Sequence, residues 1–543
     1  MPSSQTGGAA DATGSGPKRV VASIAGDLPT MHQIASRAFA TASVPGNDVV
    51  QRFVLANLGV ADSTGAVRAQ LAEAVPSLAN GLWTVAPDGT METTWTIRPG
   101  AQWHDGMPLT ANDFLFGLQV VQDPDLAVFR DAAYTGISGA EAPSPDVVTV
   151  HWKQPYIYAD QLFAVVGWPF PEHLIGDTYT NDKANFLSVP YWNTDYVGTG
   201  PYRLKQFDRG SRLVLTANDA YLLGRPKIDE IELRFILDPN VIIANLLSGA
   251  VDMSLGRVFA IAKAEELRSE WQAGTVLLGG EFRRVEVEPQ FLGASPAIVA
   301  DPLFRKALMF SMDRQQMADT LQYGLVPVAD SMLSPDQPEY APTLPDVVKY
   351  NYDPRKAAQM LDDLGYPAGG DGVRRDAAAQ PLSLEIRSTE DCPLCGQTML
   401  AVASYWQQLG ITVSPTVVPS AQFRDREYLA TFPAFYLRKQ ATSVAYLTSL
   451  LSQNAQLPSN EFVGSNYTRH MDPEFDAAVS RFFSTIDPVQ RMAVLRPLVH
   501  QVSDQLITMS LFLDTGVAAV SNRVQGPTAL NEGWNVQDWD ISR

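Results

Sequence analysis

The residues best equipped for chemistry are scattered along this chain. Six histidines occur, His32, His104, His151, His173, His470 and His500. None stands three or four residues from another, and there is no H-E-x-x-H, so no helix face offers a pair of imidazoles to a metal. A G-x-S-x-G nucleophile elbow is also missing. The two cysteines, Cys392 and Cys395, form C-P-L-C. Zinc would need two more soft ligands, and a thioredoxin-like motif would need its own short redox domain. A local disulfide or a pair of inert thiols at a helix start is what remains, and a secreted setting favours the disulfide. His104 lies in Trp103-His104-Asp105-Gly106 and reads as a hydrogen-bonded turn histidine rather than a general base. Tyr196 to Tyr202 (Y-V-G-T-G-P-Y) is glycine-rich but lacks the Lys-Ser/Thr of a phosphate loop and the spacing of a dinucleotide fingerprint. Nothing in this pattern of residues points to an enzyme, a cofactor or a metal.

The elements that would position a binding site follow from pattern. Trp95 and Ile97 alternate into a Pro99-Gly100 turn, Asp105-Gly106 makes a second turn, and Thr110 with Asp113 predicts a capping box opening a helix through Phe114 and Phe116. Asp88-Gly89 between Trp83–Val85 and Thr93–Ile97 predicts a hairpin. Helices are predicted at Val49–Leu58, Phe114–Val121, Tyr158–Val165, Asn240–Leu247, continuously over Asp301–Tyr323, after Asp353-Pro354, and at Thr398–Leu409, Phe475–Phe483 and Val489–Gln505. Strands are predicted at Val20–Ile24, Val147–Trp152, Leu213–Thr216, Ile228–Ile236, Leu382–Ile386, Ile411–Val418 and Leu511–Val520. Strand-helix-strand alternation suggests an open α/β sheet.

At 543 residues the chain predicts two or three domains. Its formal net charge of −19 excludes nucleic acid, whose phosphates need a basic face. The most apolar segment, Val241–Ala262, is broken by Asp252 and Arg257, so no membrane span is expected. Residues 1–18 are small, polar and Gly/Ser-rich, and predict a flexible tether. A plain disordered terminus and the tether of a lipid-anchored surface protein explain them equally.

Several segments resemble extracytoplasmic solute-binding proteins of the oligopeptide/dipeptide-binding family, the receptors of ABC importers. They are W-T-I-R-P-G-A-Q-W-H-D-G-M-P-L-T-A-N-D-F-L-F (95–116), Y-V-G-T-G-P-Y-R-L (196–204), N-D-A-Y-L-L-G-R-P-K-I-D-E-I (218–231), L-L-S-G-A-V-D (246–252), D-P-L-F-R-K-A-L-M-F-S-M-D-R (301–314), N-Y-T-R-H-M-D-P-E-F-D (466–476) and W-N-V-Q-D-W (534–539). The resemblance implies an α/β, bilobed periplasmic-binding-protein-like fold of type II with an extra subdomain in the first lobe. Lobe I would hold 19–280 plus 515–543, with 60–185 as the subdomain, and lobe II would hold 281–514. It implies a soluble organic ligand (peptide-like, oligosaccharide or anionic) caught between the lobes by hinge closure. It also implies an ABC permease as membrane partner, a monomer, and an extracytoplasmic, lipid-anchored native form. A ligand-sensing module, or a hydrolase on the same scaffold, is the alternative.

Peptide receptors of this family hold the ligand's α-ammonium with an aspartate in lobe II. Counting back from Y-L-T-S-L-L-S-Q, Lys439 falls at that place and Tyr436 where a tryptophan often stands. A cation there would repel an ammonium and favour a carboxylate, phosphate or sugar hydroxyl. Arg424 matches a position that can face the cleft, although a salt-bridge cluster with Asp425 and Glu427 is the favoured alternative for it, and core aromatics are the alternative for Tyr436 and Tyr446. The expected ligand-binding residues are Arg37, Phe39, Tyr134, Trp168, Phe170, Arg257, Arg424, Tyr436, Arg438, Lys439 and Tyr446. For Arg438 and Lys439 a solvated surface pair is an equal alternative. Trp168-Pro169-Phe170-Pro171 reads either as a stacking platform or as a rigid wall.

Overall fold

The computed structural model describes residues 16–35, 44–126, 128, 133–528 and 532–542. The expectations for Arg37, Phe39 and residues 1–15 lie outside these. The chain starts with β1 (Arg19–Ile24), whose alternate residues Val20, Ala22 and Ile24 are buried. A hairpin β2 (Gly59–Ala61) and β3 (Val67–Ala69) follows, then a four-stranded antiparallel sheet of β4 (Trp83–Val85), β5 (Met91–Thr96), β6 (Ile137–Ser144) and β7 (Val147–Trp152) in the order β4-β5-β7-β6. Strands β8 (Tyr202–Asp208), β9 (Arg212–Ala217) and β10 (Glu230–Phe235) form a meander beside β1, and β11 (Met253–Ser254) flanks β1 on the other side. β12 (Gly274–Pro289) leads to β13 (Ser383–Thr389), β14 (Thr412–Val418) and β15 (Phe435–Ala441), and β16 (Met509–Ser521) returns along β12. A small pair, β17 (Val524–Gln525) with β18 (Asp540–Ile541), closes the chain.

Ten of these strands make one sheet, β14-β13-β15-β12-β16-β11-β1-β10-β9-β8. Its centre is the antiparallel pair β12/β16, in which Leu278 pairs Val517, the register shifts, and Phe282 pairs Thr515. Gly279, at φ 125°, lies in the shift. One buried core gathers residues from Val20 to Leu255 and from Val520 to Trp539. A second gathers Phe304, Trp406, Phe435, Phe512 and their neighbours, and the helices Pro239–Leu247 and Ile261–Glu270 pack into it.

The hairpin at Asp88-Gly89 forms as the sequence predicts, with Asp88 Oδ1 accepting from Thr90 N–H (3.0 Å). Thr110 N–H donates to Asp113 Oδ2 (2.8 Å) at the start of helix Ala111–Gln122. Three expectations fail. The continuous helix over 301–323 is two, Pro302–Phe310 and Arg314–Leu321, because the Asp313 carboxylate accepts from Gln316 N–H (2.9 Å) and starts a new helix. The helix expected to reach Leu58 ends at Val54. Tyr158–Val165 is a 3-10 turn at Ala159–Gln161 followed by a π-helical turn at Leu162–Val166.

Two of the family-like segments are built to fit each other. Gly198 N–H donates to His104 Nδ1 (3.1 Å), His104 Nε2 lies 3.0 Å from Gly200 O, and His104 N–H donates to Gly198 O (2.8 Å). His104 is thus a neutral turn residue, with burial pushing its pKa down to about 4. Behind this contact, a Cβ on Gly198 would sit 1.9 Å from Val54 O, and one on Gly200 2.4 Å from Val54 C. Both glycines are required by close backbone approach. Gly198→Ala is expected to lower stability by about 1–3 kcal/mol in urea titration; a change within about 0.5 kcal/mol would show that the contact relaxes freely.

Candidate functional site

Strand direction decides which loops confront each other. β15 runs antiparallel to β12, so its C-terminal Ala441 lies opposite Arg283, beside the register shift, and its N-terminal Phe435 lies opposite Pro289. β13 runs parallel to β15, and β14 parallel to β13. The C-terminal ends of all three therefore point toward the half-sheet built on β1. In that half Met253 of β11 pairs antiparallel with Val520, Phe259 bridges Val517, and β1 and β10 run parallel to β11. Its C-terminal ends point back at the first set. Open α/β sheets bind ligands outside the carboxyl ends of their strands, and here two such edges face across one crevice.

On the β13–β15 side, one face of the sheet carries charge. Arg284, Glu286 and Glu288 of β12 stand opposite Gln440, Arg438 and Tyr436 of β15. Arg284 and Glu286 are fully buried and paired at 2.5 Å. Arg284 also donates to Met332 O (2.7 Å) and lies 4.7 Å from the Tyr446 ring centre, while the Tyr446 hydroxyl donates to Glu286 (2.9 Å). The Arg438 guanidinium sits between the rings of Tyr436 (3.8 Å) and Tyr467 (4.2 Å), and 3.0 Å from Glu288. Gln440 donates to Glu288 (2.7 Å). Burial pushes the Glu288 carboxyl up to about 7, against the pull of Arg438.

Lys439 points to the opposite face and pairs with Asp514 of β16 at 3.1 Å; Gln322 also donates to Asp514 (3.3 Å). The unneutralised cation expected at the family's aspartate place is thus an ion pair. Arg438 and Lys439 are not one solvated surface pair either, since adjacent strand residues face opposite sides. Arg424, in the loop after β14, is exposed and lines a groove of about 760 Å³ with Phe423, Arg426, Glu427, Pro458, Glu461 and Phe462. Glu461 and Phe462 both take left-handed φ, 55° and 57°, an uncommon arrangement for bulky residues. In the loop after β13, Cys392 and Cys395 are joined as a disulfide at the start of helix Pro393–Gln408.

The other expected residues lie elsewhere. Phe170 is fully buried, packed edge-on against His32 (5.2 Å) and Trp192 (5.4 Å). Trp168 is buried against the same His32 (5.8 Å) and lines a small pocket of about 70 Å³ with Arg52, Asn57 and Trp534, so the segment is a wall with one residue at a narrow opening. Tyr134 is buried, and its hydroxyl donates to Val166 O (2.5 Å). Tyr446 and Tyr436 are buried in the lobe interior rather than presented as stacking surfaces. Arg257 lies on the crevice side with a left-handed φ of 58°, its side chain over Gly516, where an added Cβ would meet it at 2.1 Å. Glu288 and Tyr467 escaped sequence reading. The alternation Arg284-Val285-Glu286-Val287-Glu288 was the signal for a charged strand face. Among the described residues no cluster of His, Cys, Asp and Glu could hold a metal ion, and no helix is long and apolar enough to cross a membrane.

Residues 73–456 match the bacterial extracellular solute-binding proteins, family 5. The chain belongs to that family. A Brucella ovis protein named as an ABC transporter peptide-binding protein is 25% identical to this solute-binding protein over 418 residues, covering 75% of this chain and 73% of that one. The oligopeptide-binding protein AppA of Bacillus subtilis, solved with a nonapeptide, shares its fold at a TM-score of 0.71 and 19% identity, over 97% of this chain and 100% of that one. NikZ of Campylobacter jejuni, solved with Ni(L-His), does so at 0.73 and 18%, over 96% and 99%. At these identities the likeness is one of fold, the bilobed α/β fold expected from the sequence.

Glu288 makes a pH dependence calculable in sign. Its folded pKa is raised, so above its ordinary value of 4.5 the unfolded chain ionises first, and stability falls until pH passes about 7. Thermal unfolding of the wild type between pH 5 and pH 7.5 should show this contribution, and Glu288→Gln should flatten the slope. Equal slopes would mean that Arg438 keeps the carboxylate charged throughout.

Proposed function

We propose that this solute-binding protein serves an ABC importer and captures a peptide-like ligand, which it releases unchanged. The lobes would be 19–280 plus 515–543, with 60–185 as a subdomain, and 281–514. The register shift between Leu278/Val517 and Phe282/Thr515 supports a hinge there, because it interrupts the ladder in both connecting strands. A ligand touching both crevice edges stabilises the closed arrangement through contacts that the open one lacks. The working form would be an extracytoplasmic, lipid-anchored monomer.

The ligand class rests chiefly on the groove beside β14. Arg424 and Arg426 supply planar donors for a carboxylate, Phe423 and Phe462 supply apolar walls, and Glu427 and Glu461 supply counter-charge for a basic side chain. Such a mixture suits a short peptide better than a sugar. The names of the Brucella and Bacillus relatives point the same way. Because Lys439 already occupies Asp514, the amino terminus of the ligand would not be fixed there.

Calorimetry with a pool of di- to pentapeptides tests this. Amidating the ligand carboxyl, or Arg424→Ala, should weaken binding about tenfold or more, as loss of a charged hydrogen bond does. N-acetylation should change it by less than about threefold. Binding lost on N-acetylation and kept on amidation would reverse the proposed orientation.

A further inference from the structure

The two lobes meet again at a place separate from the strands that join them. Ile157 N–H, in the turn after β7, donates to Phe483 O (3.1 Å) at the end of helix Pro473–Ser484. The Ile157 side chain is buried in a cluster whose other buried members all lie between Met332 and Ile507. The Tyr158 ring packs on Phe483 (6.1 Å between centroids) and on Tyr156 (5.9 Å), which stacks on Trp152 of β7 (5.4 Å). Ile486, just beyond the helix, packs against the cores of both lobes. This is a continuous apolar bridge from the subdomain sheet to lobe II.

An acid lies within the bridge. Asp160 Oδ1 is buried without a hydrogen-bond partner. The charged groups facing this junction are Arg491 of helix Pro488–Gln505, which favours an ionised Asp160, and Glu339, which faces Tyr158. Burial outweighs the backbone N–H groups of Asp160 and Gln161 and the charge of Arg491, and pushes the Asp160 carboxyl up to about 6. Opening the lobes would return this group to water, where a carboxyl ionises near 4.

We propose that residues 156–161 and the Phe483–Ile486 corner form a clasp that holds the lobes together without ligand, and that the charge on Asp160 sets its strength. The clasp fixes the fraction of empty protein already closed, and with it the apparent affinity for ligand. Acidification neutralises Asp160 in the closed form first and so favours closure. The inference rests on the reading that the lobes hinge.

Small-angle scattering and hydrogen exchange on the full chain, dialysed free of solute, test it. At about pH 7.5, Tyr158→Ala with Phe483→Ala should raise the radius of gyration and speed exchange at 157–161. From about pH 7.5 to about pH 5, spanning the Asp160 transition, the wild type should become more compact. Asp160→Asn, a substitution of equal size, should stay compact at both. Unchanged exchange and unchanged radius in the double variant would overturn the clasp. Faster exchange with an unchanged radius would show rigidly joined lobes, and would overturn the hinge reading together with this inference. A pH response equal in wild type and Asp160→Asn would remove Asp160 from the device.

Discussion

Backbone hydrogen bonding constrains everything else in this molecule. β12 and β16 are continuous through both halves of the sheet, and among the described residues their ladder is the only strand pairing that runs from one half into the other. Buried N–H and C=O groups must be paired, so a long ladder resists bending along most of its length. The register shift at Leu278–Phe282 is where that resistance is locally given up. Gly279 accepts the unusual backbone there, and Gly516 across from it leaves room for the Arg257 side chain. Strand polarity then orients both crevice edges without further instruction. Once β15 lies antiparallel to β12 and β13 and β14 follow it, their C-terminal loops must face the opposite half.

The charged face of β12 and β15 is a second consequence of that ladder. Alternation puts Arg284, Glu286 and Glu288 on one side, and pairing puts Arg438 and Gln440 against them. Burying Arg284, Glu286 and Glu288 beside the half-buried Arg438 is tolerable only because each finds a partner within the layer, and the tyrosine rings of residues 436, 446 and 467 complete the enclosure. Such a layer contributes little net stability but holds side chains in one geometry. The groove beside β14, by contrast, is open and exposed.

Much of the fold was legible. Asp88-Gly89 marked its hairpin, Thr110 and Asp113 marked their helix start, and the motifs in order indicated the bilobed family. The break at Asp313 was hidden inside a continuous amphipathic pattern, although the residue is itself a good cap. The site was less readable. Arg438 and Lys439 look like a pair in one dimension, and only their placement on a strand sends one to Glu288 and the other to Asp514. The fate of Trp168 and Phe170 depended on His32 and Trp192, which are distant in sequence, so no local pattern could disclose their burial.

The bridge between Cys392 and Cys395 stands at the rim of the crevice, immediately after β13. It closes too short a loop to restrain the unfolded chain by much more than about 2 kcal/mol. Its larger meaning is compartmental. A molecule held in a reducing cytosol and one exported to an oxidising space would differ by two hydrogens in the loop after β13. For an exported protein, closing this bridge would accompany arrival on the oxidising side, so the reduced and bridged forms of the loop after β13 would mark the two compartments.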